Sequence, residues 1–193
     1  MSRVKKAVLF IIVVAALLLV SMNANAKGSA KIGGTFVNSE SATVTGSFNY
    51  SWEQDKWQQT FESDFQYKKE DDKETMNELF LNTKANYTFA PKHYAFGVAQ
   101  YDYDKFRADG DRKVLGFGYG YKLLRTEKFK ASNEFSIAQL NTDTISEMIL
   151  RNSLWFSYKV STNVNFTNKF LYEEGSQSDV FIRNETALNY NFK

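Results

Sequence analysis

Cysteine is missing from this sequence, proline and histidine occur once each, and charges of opposite sign nearly cancel. Without cysteine there is no disulfide, no thiolate metal site and no lipid-modified amino-terminal cysteine. The single histidine, His93, lies beside Pro91 in a predicted turn, and no second histidine exists to serve as the base of a serine hydrolase. The balance of 24 Lys/Arg against 22 Asp/Glu gives no basic patch for nucleic acid. We therefore predict a protein that is not an enzyme, with no cofactor, no metal site and no nucleic-acid partner.

Long apolar runs are also rare, and the one that occurs is at the amino terminus. Residues 7–20 are uniformly apolar and follow three basic residues, Arg3, Lys5 and Lys6. Ala24 and Ala26 then form the small-x-small pattern that a signal peptidase recognises, so we predict a signal peptide over residues 1–26 that is cleaved after Ala26. The alternative, a membrane anchor, would need roughly 20 apolar residues, which is more than this run provides.

From residue 27 onward, apolar and polar residues alternate with a period of two, which is the pattern of half-buried β-strands. Near the carboxyl end, for example, Ile182, Leu188 and Tyr190 lie on one face, and Arg183 and Glu185 lie on the other. The alternation predicts ten strands, at 29–38, 41–53, 57–69, 75–90, 93–105, 112–125, 127–140, 145–160, 163–173 and 179–192. We therefore predict an all-β fold, a single up-and-down antiparallel transmembrane β-barrel over residues 27–193.

The two faces of the predicted strands differ in chemistry. One face is apolar and includes Tyr94, Phe96 and Val98, which we expect to point outward to lipid. The other face carries charges that we expect to line the lumen: Glu62, Asp64, Lys84, Lys122, Lys130, Glu134, Arg151, Lys159, Lys169, Arg183 and Glu185. A soluble barrel or β-sandwich would bury the apolar face instead, and alternation alone does not distinguish the two. The export signal, the aromatic residues at strand ends and the length of the strands favour the membrane barrel.

The connections between strands fall into two alternating sets. Tight turns are predicted at 53–56, 90–92, 125–127 and 161–163. The other set is mostly longer and highly charged, at 38–40, 68–74, 105–113, 141–146 and 173–178. Outer-membrane barrels have short periplasmic turns and longer external loops, so both termini are predicted to be periplasmic. We predict the cell outer membrane of a Gram-negative bacterium, with outer-membrane lipid, lipopolysaccharide and the barrel-assembly machinery as partners, and the oligomeric state stays open.

One segment resembles a known family. Residues 94–124 read YAFGVAQYDYDKFRADGDRKVLGFGYGYKLL, in which a strand ending in aromatic-Asp-Lys-Phe is followed by a short loop and a glycine-aromatic strand. Residues 46–67 fit the same pattern, with Trp57 opening a strand after Asp55 and Lys56. The chain thus resembles the salt-induced outer membrane protein family, a domain of unknown function (number 481). The resemblance implies an outer-membrane β-barrel and brings no established activity or catalytic residues.

Glycine recurs within the strand predicted at 112–125. A dinucleotide-binding fingerprint needs a helix after its glycines, and here the strand pattern continues instead. Pairing this strand with its predecessor predicts a wall of small residues that face the lumen: Ala95, Gly97, Ala99, Gly116, Gly118 and Gly120. Such a wall makes room for large side chains from the opposite wall or leaves a narrow pore. Barrels of about eight strands are filled by side chains, which favours the first outcome.

Charged groups in a lumen are costly unless they pair, so the lumen charges are expected to form salt bridges, with a selectivity filter as the alternative. Four aspartates near the third long loop could hold a divalent cation or simply be solvated: Asp102, Asp104, Asp109 and Asp111. We predict a non-enzymatic envelope barrel with a structural or stress-adaptation role and a lumen mostly filled by charged side chains. The alternatives are a narrow diffusion pore for small solutes or ions and a soluble periplasmic ligand-binding β-barrel.

Overall fold

The computed structural model describes residues 26–36, 42–71 and 73–190, with the backbone alone for residues 26–36 and 42. These residues form ten strands: β1 (Ala26–Phe36), β2 (Ala42–Gln54), β3 (Trp57–Glu70), β4 (Lys73–Ala90), β5 (His93–Asp104), β6 (Arg112–Arg125), β7 (Phe129–Asn141), β8 (Ser146–Lys159), β9 (Val164–Glu174) and β10 (Phe181–Tyr190). No helix in this part of the chain is long and apolar enough to cross a membrane. The predicted signal peptide, with Ala24, lies outside the described residues except for Ala26, whose backbone begins β1.

The strands form one antiparallel sheet in chain order, each strand paired with its sequence neighbours. At one end, called here the turn end, β1 begins, β10 ends and short turns join the strands. The opposite end, the loop end, carries the connections 105–111, 142–145 and 175–180. One connection is shorter than predicted, because β3 and β4 extend through most of 68–74 and leave only residues 71 and 72 between them. Asp71 there has a positive φ of 49°, a backbone conformation that aspartate tolerates better than most residues.

The sheet curls around an interior, because side chains from distant strands meet there. Lys84 of β4 contacts Glu134 of β7, and the Arg183 guanidinium of β10 lies 4.6 Å from the centre of the Phe80 ring on β4. The predicted closure of the barrel is not seen. Within the described residues, β1 pairs with β2 and β10 pairs with β9, and no pairing joins β1 to β10. The observed architecture is therefore a curled antiparallel sheet with two unpaired edges.

The outer face of the curled sheet is apolar and exposed, as the alternation predicts. On β6, Leu115 and Phe117 are 67% and 70% exposed, while Val114, on the inner face of the same strand, is only 2% exposed. Phe135 of β7 and Leu150 of β8 are likewise about as exposed, at 60% and 61%. Large apolar side chains that are exposed on successive strands are favourable only in contact with an apolar environment.

Aromatic rings gather on the outer face near the turn end. The rings of Trp57 and Tyr87 lie 4.9 Å apart, and those of Phe129 and Phe156 lie 6.1 Å apart. Beside them, the imidazole of His93 lies among aromatic rings and its Nδ1 is 2.5 Å from the hydroxyl oxygen of Tyr119. His93 thus belongs to this outer aromatic belt and does not face the interior. Belts of this kind occur where barrel surfaces meet the membrane–water interface.

The face of β5 is the reverse of the prediction. Tyr94, Phe96 and Val98, expected to face lipid, are buried inside and form a cluster. Ala95, Gly97 and Ala99, expected in the lumen wall, instead pair with Tyr119, Phe117 and Leu115 on the outer face. The physical reason is the glycine run of β6: the bare backbone at Gly118 and Gly120 leaves space that the rings of Phe96 and Tyr94 fill. The half of the predicted wall formed by Gly116, Gly118 and Gly120 does face inward, but it is covered.

A polar pair joins β7 to β8 on the largely apolar outer face. Asn133 of β7 and Asn152 of β8 donate to each other's side-chain oxygens, at 3.4 and 3.2 Å. Each amide also donates to a backbone carbonyl of the neighbouring strand, Asn133 to Ser153 and Asn152 to Glu134. The two amides satisfy most of their hydrogen-bonding capacity locally, which is the condition for placing them in an apolar environment.

Candidate functional site in the interior of the curled sheet

The inner face carries the charges that the alternation places there. Nearly all of the predicted lumen charges line the two cavities of the interior: Glu62, Lys84, Lys122, Lys130, Glu134, Arg151, Lys169, Arg183 and Glu185. Asp64 lies on the same face of β3 as Glu62 and lines neither cavity. Lys159 is exposed at the turn end of β8. Charge is therefore concentrated on the inner face, beside the buried apolar clusters, in contrast to the outer face.

A buried ionic cluster occupies the loop end of the interior. Glu173 of β9, 2% exposed, is paired with Arg112 of β6 and lies 2.6 Å from the Arg151 Nε of β8. Arg151 also donates a hydrogen bond of 3.1 Å to the side-chain oxygen of Gln100. The Arg112 guanidinium packs 4.9 Å from the centre of the Phe181 ring. This cluster links β5, β6, β8, β9 and β10 across the interior.

An apolar cluster lies next to these charges at the same end. Val114, Ala138, Leu140 and Ile149 are each 4% exposed or less and pack together on the inner face of β6, β7 and β8. Such packing excludes water, and it increases the cost of leaving a neighbouring charge unpaired. Ion pairs and apolar packing therefore occupy much of the loop-end half of the interior.

Two of the connections at the loop end are held by charged side chains. The carboxylate of Glu147, near the start of β8, accepts hydrogen bonds from the backbone N–H groups of Ser176, Gln177 and Ser178 at 2.6 to 2.7 Å. We call this arrangement the loop clasp. In the 105–111 connection, Lys105 donates to Glu74, and this hydrogen bond raises the pKa of Lys105. Charge-assisted hydrogen bonds of this kind order loop backbone that would otherwise be solvated.

The four aspartates considered for cation binding have other partners. Asp102 lies 3.3 Å from the Arg107 guanidinium, and Asp111 accepts a hydrogen bond of 2.7 Å from the hydroxyl of Tyr101. Asp104 caps its own loop by accepting from the backbone N–H of Phe106. Asp109 lies 4.0 Å from Arg107. Among the described residues there is no group of three or more carboxylate, imidazole or thiol side chains placed to hold a metal ion.

A second polar cluster crosses the middle of the interior. Glu134 of β7 is paired with Lys84 of β4 and accepts a hydrogen bond of 2.5 Å from the Tyr94 hydroxyl. The Lys84 ammonium also lies 4.6 Å from the centre of the Phe96 ring, a cation–π arrangement. Because Lys84 and Glu134 line both cavities, this cluster forms a partition between them.

The two cavities differ strongly in size. The inner cavity, between the partition and the loop-end cluster, has a volume of about 80 Å³ and room for only a few waters. The outer cavity, at the turn end, has a volume of about 490 Å³, and we call it the turn-end vestibule. Its size lies within the usual range for sites that bind small molecules. Within the described residues, the interior thus contains a small cavity toward the loop end and a larger one at the turn end.

Sequence reasoning missed part of the loop-end cluster. Arg112 and Glu173 lie where a predicted strand overlaps a predicted loop, and neither is among the predicted lumen charges. Each continues the inner face of its strand: Arg112 lies two residues before Val114, and Glu173 four after Lys169. Applying the period-two pattern up to the ends of the predicted strands places both inside. The loop clasp of Glu147 has no comparable signal, because it depends on how the 175–180 connection folds back.

The comparisons with known proteins come from structure and sequence. The fold is similar to the outer membrane channel DcaP of Acinetobacter baumannii, with a TM-score of 0.44 and 10% identity over 89% of this chain and 60% of that one. It is also similar to a loop L8 deletion mutant of OmpT, an outer membrane protein of Vibrio cholerae, with a TM-score of 0.41 and 10% identity over 84% and 59% of the two chains. The chain thus spans about three-fifths of the length of each. No curated protein is significantly similar in sequence.

The family is decided by a sequence model that matches residues 33–193, which is most of the chain and includes the whole interior described above. Its description is "Protein of unknown function, DUF481". The chain belongs to the DUF481 family, the domain of unknown function that the glycine-aromatic pattern of residues 94–124 resembles.

Proposed function

We propose that this chain is a non-enzymatic β-barrel of the bacterial outer membrane, with ten strands that close in the membrane and both termini on the periplasmic side. The observation that carries the proposal is the inversion of polarity between the two faces of the sheet. Phe117 and Leu150 are exposed on the outer face, while Arg151 and Glu173 are buried in the interior. A soluble barrel would bury the first pair and expose the second.

The backbone also fits a spanning role. Strands of 10 to 18 residues are at least as long as the roughly 9–11 residues that a tilted transmembrane strand needs. The aromatic belt near the turn end gives one membrane interface. The unpaired edges of β1 and β10 are incompatible with a lipid environment, because exposed backbone groups have no water to bind there. Closure through these two edges is therefore part of the proposal.

A structural role in the envelope follows from the filled interior. The loop-end cluster and the loops above it obstruct passage, so the barrel would stabilise the membrane or adapt it to stress without conducting solutes.

Fractionation of cells that express the full chain tests the location. We expect the protein in the outer-membrane fraction, resistant to extraction by salt, and we expect its migration on gels to shift upward after boiling, as folded barrels do. Recovery in the periplasmic extract without such a shift would instead support a soluble ligand-binding barrel and contradict the proposal.

A narrow diffusion pore is the second candidate, and one observation favours it. The two cavities share the lining residues Lys84 and Glu134, so a movement of the partition would join them. Recording from planar bilayers distinguishes the candidates. The structural role predicts no stable unit conductance for the purified protein, and the pore predicts steps that increase when Glu173→Ala opens the loop-end cluster.

A further inference from the structure

We infer that the turn end of the curled sheet binds anionic phospholipid, with basic side chains on three successive turns contacting the phosphate groups of the lipid. The inference rests on the proposed membrane location, and it adds to that location the class of headgroup and the surface that recognises it. It is based on the charge of the turns at the two ends of the sheet, on two adjacent lysines, and on the aromatic rings beside them.

The first observation is the charge of the turns at this end. Three successive turns, at 90–93, 125–129 and 159–164, together carry four basic residues and one acidic residue, all of them exposed: Lys92, Arg125, Lys128, Lys159 and Glu127. The remaining turn, at 53–57, has Glu53 and Asp55 against Lys56. The excess of positive charge therefore belongs to the three turns between β4 and β9, and it attracts anionic groups to that part of the turn end.

The loop end has the opposite balance. The connections 105–111, 142–145 and 175–180 carry four aspartates and only two basic residues, Lys105 and Arg107. Both of these basic residues are engaged, Lys105 by Glu74 and Arg107 by Asp102. The two ends of the sheet thus differ in the sign of their excess charge, so an anionic partner is favoured at the turn end and disfavoured at the loop end.

Lys128 and Lys159 form the centre of the basic surface. The backbone N–H of Lys159 donates to the carbonyl oxygen of Lys128 at 2.8 Å, so the two lysines lie opposite each other, one step beyond the strand pair of Phe129 and Tyr158. Like charges placed opposite each other destabilise a sheet. Neither lysine forms an ion pair within 4.0 Å with a described residue, and Glu127 in the same turn offsets only part of the charge. An anionic group between the two ammonium groups relieves their repulsion.

Aromatic rings beside the lysine pair show that the anion belongs to a lipid. The Phe129 ring centre lies 6.1 Å from that of Phe156 and 6.5 Å from that of Tyr158, which is 44% exposed. Rings of this kind lie where acyl chains meet headgroups, and lysines next to them reach toward the phosphates while their stems follow the apolar surface. A soluble anion would use the charge alone, whereas an anionic phospholipid uses both the charge and the apolar surface.

Urea unfolding of the full chain in phosphatidylcholine vesicles, with and without phosphatidylglycerol, tests the inference, with the gel shift as the measure of folded protein. We expect phosphatidylglycerol to increase the folding equilibrium constant roughly tenfold or more at low salt, and we expect high salt to remove the increase. Insertion with equal stability in both kinds of vesicle would overturn the inference and leave the membrane location intact. Failure to insert into either kind would contradict the location itself, and the inference with it.

Inorganic phosphate added to the phosphatidylcholine vesicles distinguishes the lipid from a soluble anion. It supplies the charge without the acyl chains, so we expect it to give much less stabilisation than phosphatidylglycerol. An equal stabilisation by inorganic phosphate would identify a soluble anion as the occupant and overturn the assignment to lipid.

Variants locate the effect at the turn end. Lys128→Gln and Lys159→Gln are each expected to reduce the increase caused by phosphatidylglycerol about fivefold, because each removes one cation near the anionic surface. Lys113→Gln is the matched control, since Lys113 is exposed near the loop end of β6 and forms no ion pair within 4.0 Å with a described residue. We expect the control to keep the full increase. An equal loss in Lys113→Gln would show that any exposed lysine responds to the lipid and contradict a turn-end site.

Discussion

The packing of the two glycine strands gives the sharpest test of the structure. An ideal Cβ at Gly118 would lie 2.6 Å from the Ser136 Cβ and 2.7 Å from the Phe96 Cζ, and it would also clash with the backbone oxygen of Phe135. At Gly97 on the adjacent strand, the nearest atom to such a Cβ is the Gly116 carbonyl oxygen at 3.9 Å. The same substitution, glycine to alanine, therefore meets a full site at one position and open space at the other.

The two substitutions are expected to change the free energy of unfolding in opposite directions. Gly118→Ala inserts a methyl group into a packed site against backbone, which costs about 1–3 kcal/mol. Gly97→Ala restricts the unfolded chain without a clash, which stabilises by about 0.4–1 kcal/mol where the backbone conformation allows it. The two variants should consequently differ in the free energy of unfolding by about 1.5–4 kcal/mol.

Equilibrium unfolding in urea, with the protein in detergent micelles, measures this difference, and the shift between folded and unfolded bands on gels gives a second readout. If the small residues of β5 faced the lumen with the glycines of β6, both positions would border the same empty space and both variants would behave alike. Equal stabilities of Gly118→Ala and Gly97→Ala would therefore refute the observed face of β5.

Three further perturbations address the interior and the loops. Glu173→Gln leaves the two buried guanidinium groups of Arg112 and Arg151 without a carboxylate and should lower the free energy of unfolding by about 3–5 kcal/mol in urea titrations, whereas an unchanged midpoint would show that the cluster is hydrated. Tyr94→Phe removes one hydrogen bond of the partition and should cost about 1 kcal/mol, a loss that a matched change at the exposed Tyr158 should not produce. Glu147→Gln weakens the loop clasp, so limited proteolysis should cleave the 175–180 connection several-fold faster while the strands stay intact; an unchanged cleavage rate would mean that the clasp does not order the loop.

The strands could be predicted from sequence because the contrast between their faces is large. On β6 and β8, exposed residues such as Phe117 and Leu150 alternate with buried or small ones such as Val114 and Arg151, so either the period or the chemistry identifies the face. Over residues 94–99 of β5 both alternating sets are apolar, and only Gln100 and Asp102 farther along the strand mark the inner set. Tyr94 and Phe96 differ from Ala95 and Gly97 in size alone, and the decision depends on the neighbouring glycines of β6.

The candidate site shows the same limit at the strand ends. Arg151 and Glu134 were identifiable as inward charges because they lie well within their strands. Arg112 and Glu173 were not, since strand boundaries are the least certain part of a periodic pattern. The vestibule itself could not be predicted, because its volume depends on how tightly the sheet curls and on which side chains from opposite walls meet at Lys84 and Glu134.

The Asn133–Asn152 pair has a consequence for how the sheet finds its alignment during folding. A slip of two residues between β7 and β8 leaves every side chain on its original side of the sheet, so the contrast between the two faces does not oppose it. Such a slip would, however, break the set of amide bonds that joins these two residues to each other and to the carbonyl groups of Ser153 and Glu134. Unpaired amides would then face an apolar surrounding, at a cost of about 1–3 kcal/mol for each group. A polar pair on the outer surface thus favours the native register over a slipped one that the hydrophobic pattern alone does not distinguish from it.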